Sequence, residues 1–193
     1  MNADVIKLIE KYYEPDSKAH HFVLHHGRLV AHKALQVAQR IKELNPDLKF
    51  IEEASMLHDI GIFMTHAPKI GCYGFHPYIS HGWLGREILE KEGLPLHGLV
   101  CERHVGTGLT IEDIESNKFP LPKRDMRPQT LEEKIICFAD KFYSKDEHSL
   151  EAEKPAWKIR EILSIFGEDK ARQFDEWMIF FREPENKDKA LKL

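Results

Sequence analysis

The sequence predicts an all-α protein: a single helical bundle of seven or eight helices. Three observations lead there. Apolar residues recur at three- and four-residue spacing along almost the whole chain, and alternating strand-like stretches are scarce. Proline, glycine and asparagine cut that pattern into helix-sized pieces. The 193 residues, 42% of them hydrophobic and 31% charged, suit one domain with a real core and leave little room for a second.

The elements follow in order. A first helix covers about 4–13 and is stopped by Pro15. A longer one runs over about 18–44 and ends before Asn45-Pro46, since the residue before a proline leaves the helical region. A third spans about 49–58 and stops near Gly61, and the Gly- and Pro-containing stretch 62–79 reads as loop. Ser80 is placed to cap a helix running to Lys91, and Pro95 opens another that ends near His104. A second long segment, 106–128, has room for one helical turn around 110–116. Helices over 131–143, 156–166 and 168–182 follow, and the charged tail 183–193 is expected to fray. The domain is thus expected to span 1–193, with a core at about 20–145 and C-terminal helices at about 156–182.

Composition removes several function classes. The net charge is -4, with both signs interleaved, so no basic field is present to hold a long nucleic-acid backbone. No apolar run approaches the roughly 20 residues that span a bilayer, and the N-terminus lacks a signal-peptide core, which leads to a cytoplasmic expectation without membrane partners. Cys72, Cys101 and Cys137 are scattered and odd in number, which reads as packed free thiols in a reducing compartment. Histidine is the anomaly: twelve residues, with no tag-like run to explain them.

Helical geometry sorts those histidines. At 100° per residue, Val23, Val30, Ala34, Val37, Ala38, Ile41 and Leu44 share one face of the second helix, and His26 falls within about 60° of its centre. His25 and His32 lie on the polar side. His58 follows Ile51 and Ala54 at i+7 and i+4, with Asp59 beside it. His81 shares a face with Leu84, Gly85 and Ile88, and His104 one with Val100 and Cys101. The run 135–139 is apolar nearly all round, yet it leads into Asp140. A carboxylate buried there costs several kcal/mol unless it is paired or bound to a metal. A lone histidine on an apolar face is more often a hydrogen-bonded core residue, and His66, His76, His97 and His148 read as such loop or packing residues. Six inward polar groups ask for one common cause.

A metal centre supplies it. Imidazole and carboxylate together suit Mn, Fe, Co, Ni or Zn rather than Mg or Ca. An aspartate adjacent to a ligating histidine has two oxygens and can bridge two ions, which about 3.5–4 Å apart would generate a hydroxide and clamp a phosphoryl group.

His58-Asp59-Ile60-Gly61 resembles the H-D-I-G form of the HD-superfamily signature. Around it stand His26-x3-Val30-Ala31-x2-Ala34, His81-x3-Gly85, Glu102-Arg103-His104, and the run 131–136 leading to Ala139-Asp140-Lys141. This order, over roughly 20–145, is similar to the compact stand-alone HD hydrolases with a two-metal centre. The resemblance implies an HD-type bundle and a first metal held by His26, His58, Asp59 and Asp140. It implies that Asp59 bridges to a second metal bound by His81 and His104, with His58 and Asp59 the catalytic pair. The G-Y-P element of the cyclic-dinucleotide branch is absent after the motif, so that specificity is not implied.

The function this implies is hydrolysis of a phosphate ester in a nucleotide or another small phosphorylated metabolite, by a metal-activated hydroxide and one or two divalent ions. Arg103, Lys141, Lys69, Lys123 and Arg124 are the candidate phosphate partners. Two other readings use the same ligands: an HD-type diiron oxygenase, and a non-catalytic metal- or nucleotide-binding sensor. The aromatic-rich stretch from Trp177 to Phe181 offers a homodimer face or, more simply, packing for the last helix.

Overall fold

The computed structural model describes residues 3–144 and 152–184; His148 and residues 185–193 of the expected tail lie outside the described residues. Among the described residues there are nine α-helices: α1 (Ala3–Tyr12), α2 (Lys18–Arg40), α3 (Leu48–Leu57), α4 (His81–Lys91), α5 (Pro95–Arg103), α6 (Ile111–Ser116), α7 (Leu131–Asp140), α8 (Ala156–Phe166) and α9 (Glu168–Phe180). The only sheet among them is a two-stranded antiparallel hairpin of β1 (His66–Ala67) and β2 (Cys72–Tyr73). The all-α expectation holds, with the single turn at 111–116 counting as a helix of its own.

Local chemistry sets the helix ends. Ser17 caps α2 by accepting from the His20 amide, Asp47 caps α3 through Phe50 N, and Thr130 caps α7 through Glu133 N. Pro95 opens α5 in the first turn, as expected. Ser80 does not cap α4 with its side chain; a 3-10 turn, Tyr78–Ser80, feeds directly into that helix instead. The second helix also stops short. At Ile41 it gives way to a 3-10 turn, Lys42–Leu44, and Asn45 is left-handed at φ 51 ahead of Pro46. Leu44 therefore leaves the apolar face assigned to it and is 47% exposed. The stretch expected as plain loop, 62–79, contains part of a 3-10 turn (Ile60–Met64), another at Pro68–Ile70, and the hairpin.

Two apolar clusters carry the fold. One joins the second half of α2 to α7, α8 and α9, with Phe138 packed against Phe142, Phe174 and Phe181. The other joins α1 and the first half of α2 to Leu57, Ile60, Ile62, Leu89 and Cys101. Each fully buried large side chain contributes roughly 1.5–3 kcal/mol. His26 lies between Val23 of the second cluster and Val30 of the first, so α2 carries it to where they meet. The C-terminal aromatic stretch divides: Trp177 and Phe181 are buried, whereas Ile179 and Phe180 are exposed. All three cysteines are free and buried. Among the described residues, no helix is long and apolar enough to cross a membrane.

Candidate metal centre

Five chain segments deliver six polar side chains to one buried point. His26 comes from the middle of α2, His58 and Asp59 from the end of α3, His81 from the start of α4, His104 from the end of α5, and Asp140 from the last residue of α7. None is more than 6% exposed. Three of the histidines are anchored in the same way. Nδ1 of His58, His81 and His104 donates to the carbonyl three residues earlier: Ser55 O at 2.6 Å, Tyr78 O at 2.7 Å and Cys101 O at 2.7 Å. The turn just before each histidine presents that carbonyl, so the backbone fixes both ring orientation and tautomer. The lone pair is left on Nε2, facing the centre.

Asp59 sits in the middle. Its Oδ2 lies 3.5 Å from His26 Nε2 and 3.4 Å from His58 Nε2, and its Oδ1 lies 3.4 Å from Nε2 of both His81 and His104. Asp140 Oδ1 closes one side, 3.0 Å from His26 and 3.5 Å from His58. Gly61 allows this approach: a Cβ there would come within 2.3 Å of His81 O and 2.5 Å of Gly85 N. The glycine of the motif is therefore needed for close packing of the 3-10 turn on α4, which sets His81 opposite Asp59.

The donor set fits a divalent transition ion better than it fits protons. With Nδ1 protonated on each ring, His81 Nε2 and His104 Nε2 point lone pairs at each other across 3.0 Å. His58 Nε2 is buried, with carboxylate oxygens of Asp59 and Asp140 at 3.4 and 3.5 Å. Protons alone serve the cluster unevenly. His58 is pushed up to about 9: burial pulls it down, and the charges and hydrogen bonds of Asp59 and Asp140 override that. Burial pulls His104 down to about 4, helped by the charge of His58. Ligand atoms of His26, His58 and Asp140 lie within 4.8 Å of one another, as do those of His58, Asp59 and His104. Nitrogen and carboxylate donors at this spacing suit Mn, Fe, Co, Ni or Zn.

Beside the centre lies a cavity of about 390 Å³ lined by His81, His104, Asp140 and Lys141. Of the five basic candidates, Lys141 alone reaches it; its Nζ donates to Asp140 Oδ2 at 2.7 Å and to His104 O at 3.0 Å. Arg103 is turned onto Glu133, at 2.8 and 3.0 Å. Arg124 is held by Glu102, Lys123 is exposed beside Glu115, and Lys69 is exposed on its 3-10 turn. Successive helical side chains diverge by about 100°, and acidic neighbours neutralise three of these four cations. Sequence reasoning missed Lys154, which lines the same cavity and donates to Lys141 O at 2.9 Å and Tyr143 O at 2.6 Å. A single lysine between Glu153 and Pro155, outside the motif region, gives no signal of its own.

Comparison with known proteins bears on the family and the fold. An uncharacterized protein of Methanocaldococcus jannaschii is 36% identical over 121 residues, 61% of this chain and 64% of the relative. Two proteins named tRNA (cytidine(56)-2'-O)-methyltransferase also match. That of Picrophilus torridus is 35% identical over 58% of this chain and 29% of its own length; that of Thermoplasma volcanium is 28% identical over 74% and 36%. The chain thus spans less than two thirds of each of these relatives. Crystal structures of the L. monocytogenes phosphodiesterase PgpH HD domain, one of them in complex with cyclic-di-AMP, share the fold. Their TM-scores are 0.52 and 0.51, at 19% and 20% identity, and they cover 98% and 93% of this chain and 99% and 97% of theirs. A family model for the HD domain matches residues 23–144, which include all six converging side chains. The chain belongs to the HD domain family.

Proposed function

We propose that this chain is a metal-dependent phosphohydrolase acting on a small phosphate ester, a nucleotide or another phosphorylated metabolite. The observation that carries the reading is the division of labour at Asp59: Oδ2 faces His26 and His58, while Oδ1 faces His81 and His104. That is the arrangement of a bridging carboxylate. In this reading His26, His58, Asp59 and Asp140 would hold one ion, and Asp59, His81 and His104 would hold a second. Divalent ions in such a pair provide a hydroxide at neutral pH and neutralise charge on the phosphoryl oxygens.

The chain's own residues do the rest. The carbonyls of Ser55, Tyr78 and Cys101 keep three imidazoles in the ligating tautomer. Lys141 and Lys154 place positive charge on the cavity wall for the substrate phosphate. Two buried thiols are not activated as nucleophiles: burial pushes Cys101 well up and Cys137 up to about 12, so both stay protonated.

The test is phosphate release from nucleotides, dinucleoside polyphosphates and simple phosphate esters. Chelator-stripped protein is given Mn, Co, Ni, Fe, Zn or Mg in turn, beside His58→Ala and Asp59→Ala. Metal-dependent turnover lost in both variants is expected. Activity that needs iron and O2 and releases no phosphate would transfer the site to oxygenase chemistry. A folded, metal-loaded protein inert on every substrate would leave the sensor reading.

A further inference from the structure

The cavity has two unlike walls. One carries the metal-centre residues and Lys141; the other is apolar and built by Ile159, Ile162 and Leu163, which share one face of α8. Ile159 and Leu163 are 2% and 5% exposed and belong to the main core, so packing accounts for them. Packing does not account for Ile162. It is 37% exposed, outside the core cluster, and lines the cavity. The helix begins at Ala156, beyond residue 144 where the family match ends.

A bare phosphate, or one carrying a polyol, keeps its water and gains nothing from an apolar wall. A ring carried by the phosphate removes both itself and the isoleucine from water, at about 25 cal/mol per Å² of apolar surface. The volume, about 390 Å³, is near the lower end of the roughly 300–1,000 Å³ range of small-molecule sites. It suits one phosphate and one ring-sized group. We propose that α8 is the specificity wall of this site. The substrate is a phosphate ester bearing an apolar or aromatic group that seats on Ile162, and sugar and polyol phosphates are disfavoured. The proposal rests on the phosphohydrolase reading and adds to it the chemistry of the leaving alcohol.

Calorimetric titration of the full, Mn-loaded chain with inorganic phosphate, glycerol 3-phosphate and 1-naphthyl phosphate tests it without requiring turnover. Naphthyl phosphate is expected to bind at least about tenfold tighter than glycerol phosphate. In Ile162→Asn that preference should fall below about threefold while affinity for inorganic phosphate stays within about twofold. Ile162→Ala should fall between. Equal binding of the two esters by the wild type, or a preference that survives in Ile162→Asn, would overturn the proposal. Sedimentation of the same samples adds a second check, because Trp157, Ile165 and Phe166 on α8 are also exposed. A variant that loses a dimer yet keeps the preference would assign Ile162 to an interface between copies. Failure to bind even inorganic phosphate would sink the phosphohydrolase reading and this proposal with it; binding without preference would sink this one alone.

Discussion

Two buried polar clusters lie on α2, two helical turns apart, and they are built on opposite principles. Around Lys33 the chain supplies its own counter-charges. Lys33 is 3% exposed, and its ammonium donates to Glu153 at 2.9 Å and Glu183 at 2.7 Å, over the Phe142 ring. Arg40 also donates to Glu183, and the Tyr143 hydroxyl donates to Glu153 at 3.0 Å. Two cations meet two carboxylates. Around His26 the chain brings four imidazoles and two carboxylates together, and Lys141 donates to one of them, Asp140. Nε2 of His81 and Nε2 of His104 face each other across 3.0 Å there. A cluster closed by its own charges is structural; one that leaves acceptors opposed calls for a cation from outside the chain.

The sharpest way to break this contrast is to remove the bridging carboxylate. Asp59→Ala is expected to lose more than about a thousandfold in turnover, equivalent to roughly 4 kcal/mol of barrier. The same variant should lose the stabilisation that metal confers. Mn at a hundred times its Kd adds about 2.7 kcal/mol to the stripped wild-type protein. For a chain of this size that raises Tm by about 5–10 °C. If the rise persisted at full size in Asp59→Ala, the ion would be bound elsewhere. The converse experiment is Lys33→Met. Glu183 then keeps Arg40 alone and the part-exposed Glu153 loses its lysine, at a cost of about 1–3 kcal/mol. The metal-induced rise in Tm should survive, measured at a temperature where the variant is folded. Equal loss of metal response in both variants would erase the distinction.

Gly61→Ala probes how tightly the centre depends on its packing. The added Cβ meets backbone atoms of α4 at 2.3 and 2.5 Å, and backbone does not yield as a flexible side chain does. Overpacking of this kind costs about 1–3 kcal/mol. Since it displaces the element carrying His81 relative to Asp59, metal affinity should fall along with stability, unlike in Lys33→Met. A thermal melt and a metal titration on one preparation separate the two effects.

How much of this was legible in the sequence follows the same division. Side-chain periodicity on α2 placed His26 inward and His32 outward; the structure finds the first buried and the second exposed. Within a helix, facing is a matter of angle, and angle is written in the spacing of apolar residues. Where helices end was read less well. The break at Ile41 and the left-handed Asn45 depend on local hydrogen bonding that periodicity does not register, so Leu44 was given a core place it does not have. Charged partners were least legible. Arg103 stands next to a centre residue and yet is bound by Glu133, thirty residues away, while Lys154 reaches the cavity from a segment with no motif. Long-range ion pairing is decided by the tertiary fold, and neighbours in sequence do not reveal it. Glu183, the first residue of the expected frayed tail, is held by Lys33 for the same reason.

A third ion pair extends the contrast to its smallest effect. Lys170 of α9 is buried, and its ammonium donates to Asp113 of α6, whose carboxylate also accepts from the Thr110 amide at 2.7 Å. Burial alone would raise the Asp113 pKa, but the Lys170 hydrogen bond and the Thr110 bonds outweigh it, and the group sits below its ordinary value. A carboxylate with a depressed folded pKa contributes stability that is present above the unfolded value and is lost as pH falls through the folded one. Asp113→Asn should therefore cost about 1–2 kcal/mol at neutral pH, or about 2–8 °C in Tm. As pH falls through that depressed folded value and the folded aspartate is protonated in its turn, wild type and variant should converge. Added Mn should raise Tm equally in both. Asp59→Ala should show the reverse: a metal response removed, whatever happens on the acid limb. A closed pair answers to protons alone, and an open centre answers to metal. If Asp113→Asn altered the metal response, or left the acid limb of wild-type stability unchanged, the two kinds of cluster would not be separable in this fold.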